Sequence, residues 1–186
     1  MAIANIIGFD DAPFRKSYRG DVLLIGVICA KTRLDGVLSS RVRRDGRNST
    51  ARMIDMIEQS QFGGHIRAVL LQGIAVAGFN VVDVRALHRR LAVPVIVVAR
   101  RAPDYGSIRQ ALFARVPGAQ RKWSLIESIG KPETMRSIYV QRIGISRSDT
   151  LDLLRATTLH GNLPEALRLA HLIAGGVTTG VSRGRA

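Results

Sequence analysis

The placement of the apolar runs constrains this chain most. Three strand-length runs, at residues 3–9, 22–30 and 36–42, crowd into its first part. The run at 3–9 is unbroken, as expected of a strand buried on both faces. Leu34-Asp35-Gly36 marks a turn between the second run and the third. From residue 48 the pattern changes to helical spacing. Asn48-Ser49-Thr50 offers an N-cap, with Met53, Ile54 and Ile57 following at helical intervals, and Gly63-Gly64 closes that helix. Residues 68–71 read as a short buried strand. Asn80, with Asp83 three residues on, opens a helix carrying Val84, Leu87 and Leu91. Residues 94–99 give another strand, then 106–115 and 121–129 two helices. A short strand at 137–142 and helices at 148–157 and 164–174 complete the pass.

The order is therefore βββαβαβ followed by helices. Three hairpin-linked strands and then β-α-β units predict a mixed α/β sheet with helices on both faces. The ribonuclease-H-like architecture has this order, although other mixed α/β folds share parts of it. At 186 residues one domain over 1–186 is expected, with residues 181–186 a loose basic tail. The longest apolar runs are too short to span a bilayer, and no basic segment precedes the first one. The lone cysteine, Cys29, has no internal partner and reads as a small buried hydrophobe. A cytoplasmic protein without a membrane partner is the expectation.

Charge narrows the function. Lys and Arg total 28 against 14 acids, a net charge of +14, and Arg far outnumbers Lys. Arginine keeps its charge at any working pH and grips phosphate with two parallel hydrogen bonds. A field of this sign draws in polyanions, so nucleic acid is the expected partner; solubility alone is the plainer alternative. Arg43, Arg44 and Arg47 form one basic cluster, Arg100 and Arg101 follow the strand at 94–99, and Arg121 and Lys122 stand beside Trp123. Aromatic residues make up only 5% of the chain, which argues against a broad stacking platform for single strands. Tyr105 and Trp123 are read as packing residues before base-stacking ones.

Carboxylates supply the candidate chemistry. Asp10 and Asp11 lie just past the first strand, where a rigid apolar element holds an acid near solvent. Mg²⁺ or Mn²⁺ suits such a place, because hard cations take one or two carboxylates plus waters and phosphate oxygens. A strand-end turn is the structural alternative. Asp45, in Arg43-Arg44-Asp45-Gly46, reads as a second metal ligand or as an Asp-Gly turn. Asp83 reads as an acid facing the site or as a helix cap. The glycines of residues 72–78 lack the spacing of a dinucleotide fingerprint, and a short loop there is suited to presenting amides to phosphate. The histidines at 65, 88, 160 and 171 show no metal-ligand spacing, and surface or core placement is expected for each.

Gly8-Phe9-Asp10-Asp11-Ala12-Pro13-Phe14, Leu71-Gln72-Gly73, Gly78-Phe79-Asn80-Val81-Val82-Asp83 and Pro164-Glu165-Ala166-Leu167-Arg168-Leu169-Ala170-His171 together resemble an archaeal domain family of unknown function, number 99. That family is similar to endonuclease V, a Mg²⁺-dependent nuclease of ribonuclease-H-like fold acting beside deaminated adenine. The resemblance implies catalytic and metal-binding roles for Asp10 and Asp45; Asp11 or Asp83 is then read as supplying the missing charge, with Gln72 and Asn80 as further supporting candidates. Asp45 stands where endonuclease V has a glutamate, and neutral Gln72 where it has an aspartate. The stretch 139–146 lacks the histidine expected by that resemblance, and no Pro-Tyr-Ile-Pro wedge is present. Three functions are open, the first two being a Mg²⁺-dependent nuclease hydrolysing phosphodiesters and a nucleic-acid-binding module that keeps the fold without the active centre. A basic scaffold for an acidic protein partner is the third.

Overall fold

In the computed structural model, residues 5–182 are described. Ile3 and Ala4 of the first apolar run, and residues 183–186 of the basic tail, lie outside them. The strands are β1 (Asn5–Asp11), β2 (Asp21–Ala30), β3 (Arg33–Arg43), β4 (Ala68–Gln72), β5 (Ala75–Val76), β6 (Asn80–Val81), β7 (Val95–Ala99), β8 (Glu133–Met135) and β9 (Ile138–Ile143). The helices are α1 (Ser49–Glu58), α2 (Val84–Leu91), α3 (Tyr105–Arg115), α4 (Ala119–Ser128), α5 (Arg147–Thr157) and α6 (Glu165–Thr179). Seven strands form one sheet in the order β3-β2-β1-β4-β7-β9-β8, and β5 and β6 pair separately. β1, β2 and β3 are antiparallel neighbours, whereas β1, β4 and β7 run parallel. β9 returns antiparallel to β7.

The continuous apolar runs occupy the sheet's centre because both its faces are covered there. Ile6, Ile7 and Phe9 are fully buried although successive residues point to opposite faces. On one face α6 lies against β1 and β2. Its approach depends on Gly8: a Cβ there would stand 2.7 Å from the backbone carbon of Ala166 and 2.8 Å from the Leu167 nitrogen. α6 meets the sheet with small residues too, Ala166, Ala170 and Ala174 all being buried. α3 and α4 build a smaller satellite core around Val81, Leu112 and Ile126. Tyr105 and Trp123 pack edge to face within it, their centroids 6.4 Å apart.

Three expectations are corrected and a fourth is extended. The turn between β2 and β3 falls at Lys31-Thr32, and Leu34-Asp35-Gly36 lies inside β3. Ile28 pairs with Gly36 and Cys29 with Leu34, so Asp35 is the extra residue of a bulge. α1 ends at Glu58, before Gly63-Gly64. Asn48 precedes α1 without capping it through its side chain, because that side chain accepts from the Arg43 and Asn80 nitrogens instead. The strand at 137–142 belongs to a β8–β9 hairpin turning on Arg136 and Ser137, both at positive φ. Cys29 is buried, as its apolar surroundings required.

Candidate active site

β1, β4 and β7 are parallel, so their carboxyl ends share one edge of the sheet, where open α/β sheets commonly bind ligands. Asp10 and Asp11 end β1, Gln72 ends β4, and Arg100 and Arg101 follow β7. β3 runs in the same sense, which brings Arg43, Arg44 and Asp45 to that edge as well.

Asp10 is the centre of this arrangement. It shares a face of β1 with Gly8, and α6 lies on that face, running along the strand in the same sense. One turn beyond the Gly8 contact, the helix presents His171, whose Nδ1 lies 2.8 Å from Asp10 Oδ2. The other oxygen, Oδ1, accepts from the Asp11 amide at 3.0 Å. Burial pushes the Asp10 carboxyl above its ordinary range, opposed first by the His171 hydrogen bond and charge. Phe9 pairs with Leu71, so Gln72 sits beside Asp10 on the next strand and points to the same face. Its Oε1 is buried without a hydrogen-bond partner. A buried acceptor left unpaired is costly, and it marks where a donor or cation is wanted.

Asp11 lies beside Asp10 and receives the Ala77 amide. Burial, and then the neighbouring Asp10 charge, push its carboxyl up to about 6. The unfolded chain sheds this proton near 3.8, the native protein near 6. Between those values the native state holds more protons, so stability falls as pH rises through the window and levels off above it. In metal-free protein, Asp11→Asn should raise stability above pH 6 by roughly 2–3 kcal/mol and change little at pH 4. Urea denaturation at both pH values checks this; equal gains at the two would refute it.

The other sequence candidates divide. Asp45, at φ 51°, closes a turn: its Oδ1 accepts from Phe79 N at 2.8 Å and its Oδ2 lies 3.2 Å from Arg44 Nε. Its amide donates to Ala77 O, so a single residue, Ala77, links it to the Asp11 carboxylate. Asn80 is fully buried and structural, donating to Arg43 O and accepting from Ser49 N. Asp83 caps α2 through Ala86 N, and it also lines a cavity with Asp45. Residues 75–81 fold as the β5–β6 hairpin rather than as a free amide loop.

Among the cations, Arg44 is committed: it donates to Lys16 O and Tyr18 O and lies 5.3 Å over the Phe14 ring. Lys122 is buried and donates to Asp45 O at 2.5 Å, with burial lowering its pKa. Arg43, Arg47, Arg100 and Arg101 are exposed. Arg47, Asp45, Asp83, Arg121 and Lys122 border a cavity of about 550 Å³. His171 escaped the sequence reading because its partner stands 161 residues away. The available signal was the small-residue spacing of Ala166, Ala170 and Ala174 opposite a strand glycine, which brings a helix close.

The donor set fits a single hard cation. A carboxylate offers about four lone-pair sites, and Asp10 uses two. Gln72 adds an oxygen on the same face, while Asp11, next along the strand and turned to the other face, adds negative charge nearby. Among the described residues no group of three or more His, Cys, Asp and Glu is arranged to hold a metal. The remaining positions would fall to water and phosphate oxygens.

Fold and site together place the molecule in a class. A solved Archaeoglobus fulgidus protein of unknown function superposes with a TM-score of 0.88 at 29% identity, covering 95% of this chain and 99% of that one. Human endonuclease V superposes with a TM-score of 0.57 at 14% identity, covering 92% and 83%. The Ciona intestinalis enzyme, solved with inosine-containing DNA, gives 0.57 at 13%, covering 90% and 82%. The fold is thus ribonuclease-H-like, of the endonuclease V type. The chain belongs to the endonuclease dU family, whose sequence profile matches residues 3–178. A UPF0215 protein of Deinococcus radiodurans is 50% identical over 98% of this chain and 93% of its own. One from Methanothermobacter thermautotrophicus is 42% identical over 98% and 91%. No described helix is long and apolar enough to cross a membrane.

Proposed function

We propose that this protein is a divalent-cation-dependent endonuclease that hydrolyses a phosphodiester near a deaminated base, deoxyuridine in DNA being the first substrate to test. The observation that carries the reading is the Asp10–His171 pair at the carboxyl edge, beside the unpartnered Gln72 oxygen. The family's name and the inosine-containing DNA on the Ciona relative support the choice of substrate.

Asp10 and Gln72 would hold Mg²⁺ or Mn²⁺, with Asp11 adding negative charge beside them, and the ion when bound supplies Lewis-acid polarisation of the phosphoryl oxygens. Asp10 also orients His171. With Nδ1–H donated to the carboxylate, Nε2 is left as the acceptor on a ring whose side chain is 32% exposed. That nitrogen takes the proton of an attacking water and returns it to the leaving oxygen. Arg100 and Arg101 flank the edge two strands from Asp10, about 10 Å at ordinary strand spacing, and attract the phosphate backbone. Asp45 holds the Phe79 turn next to the carboxylates in this scheme.

Duplexes carrying one uracil, one inosine or neither, incubated with Mg²⁺ or Mn²⁺, test the proposal. Nicking near the uracil is expected. No nicking of any duplex, with binding that weakens steeply with salt, would favour the non-catalytic binding module. The neutral Gln72 in an acidic position is the observation on that side.

A further inference from the structure

A second cavity, of about 520 Å³, is lined from Ala12, two residues past Asp10, and by Val177 and Thr178, further along the helix that carries His171. It is bounded by the loop after β1, by Val22 and Leu23 of β2, by Arg41 of β3 and by Val177 and Thr178 of α6. The volume is in the range that encloses a small organic group. α6 leads into it: six residues separate His171 from Val177, about 9 Å along a helix. That span is about three nucleotides at the 3.4 Å rise of a B-form strand.

The lining has the chemistry of a base site. Phe14 and Tyr18 contribute rings, and Arg15 and Arg41 contribute charge. Tyr18 is 41% exposed, yet its hydroxyl donates to Asp21 O at 2.9 Å, so the ring is held in place while open to solvent. Arg44 fixes the loop beneath it by donating to Lys16 O and Tyr18 O. Arg15, Lys16 and Arg19 are exposed around the two aromatic rings. The single acid of the lining, Asp21, is offset by Arg43 at 3.6 Å. Preordered aromatic surface inside a cationic rim suits a planar group carried on a polyanion, and is a poor match to an apolar peptide.

We propose that this cavity is a nucleobase subsite. It takes an unpaired base of the bound strand, within about three nucleotides of the phosphate at Asp10, stacked on Tyr18 with Arg15 and Arg41 toward the neighbouring phosphates. The inference rests on the reading that the protein engages nucleic acid.

The test uses the full-length protein without metal and single-uracil oligonucleotides bearing one 2-aminopurine at successive positions. On binding to the parent, one position within three nucleotides of the uracil should show stacking-quenched fluorescence. Tyr18→Phe should keep that response. Tyr18→Ala should lose it and weaken binding about tenfold, the scale of one lost base stack. Val177→Met, which fills the cavity from a rim position 69% exposed, should do the same without disturbing the core. Binding by the parent with responses unchanged in Tyr18→Ala and Val177→Met would overturn the subsite and leave the nucleic-acid reading standing. A loss with Tyr18→Ala alone would overturn the cavity as the base's seat. No binding of any oligonucleotide at low salt would overturn both.

Discussion

Asp10→Asn should give a folded protein, at least as stable as its parent, that cleaves about a thousandfold more slowly or not at all. The stability half follows from burial. Asp10 is 7% exposed, and desolvation disfavours its charged form, so a neutral isostere relieves that penalty while still accepting from the Asp11 amide. The activity half follows from its two tasks. The carboxylate would hold the cation and does fix the His171 ring, and an amide is poor at both. Several kcal/mol of transition-state stabilisation is the expected loss, with 1.36 kcal/mol for each factor of ten. Urea denaturation and nicking rates on one preparation measure the two halves together. A variant cleaving at the parent rate would remove Asp10 from the chemistry.

Gly8→Ala should lower both stability and activity, although Gly8 touches no substrate. The added Cβ would stand within 3 Å of helix backbone, which cannot swing aside as a side chain does. Overpacking of this kind costs about 1–3 kcal/mol. α6 must shift outward, and His171 moves with it, away from the Asp10 oxygen it now meets at 2.8 Å. Cleavage should therefore fall more than tenfold at temperatures where the variant is fully folded. Gly64→Ala is the control, since an added Cβ there meets nothing within 4 Å. Lost stability with unchanged cleavage would show that the His171 contact is not needed.

Much of the architecture was legible because strands buried on both faces advertise themselves as unbroken apolar runs. Residues 22–30, 68–71 and 94–99 did so, and their order carries the sheet. Short hairpins do not advertise themselves. The β8–β9 turn uses Arg136 and Ser137 at positive φ, where Gly or Asn is the usual sign, and β5 and β6 have two residues each. The bulge at Asp35 mimicked a turn because its Asp-Gly step is what turns use.

The candidate site was legible only along the chain. Asp10 and Asp11 could be placed at a strand end from local pattern, and Asp83 at a helix start. Which residues meet across the fold could not: Asn80 reads as a helix start and Arg44 as a cation for nucleic acid, yet both are tied into backbone by tertiary contacts. His171 needs the docking of α6 on Gly8 before it has any neighbour of note.

That docking has a consequence for the timing of biosynthesis. The Asp10–His171 pair joins the beginning of the chain to α6, 161 residues later. While the polypeptide is emerging from the ribosome, the carboxylates are made long before the imidazole that completes them. An interrupted or prematurely released product ending before α6 has the acids and the basic surface but not the pair. Such a fragment is left inert toward any chemistry the pair performs, so synthesis itself delays the onset of activity until the domain is whole.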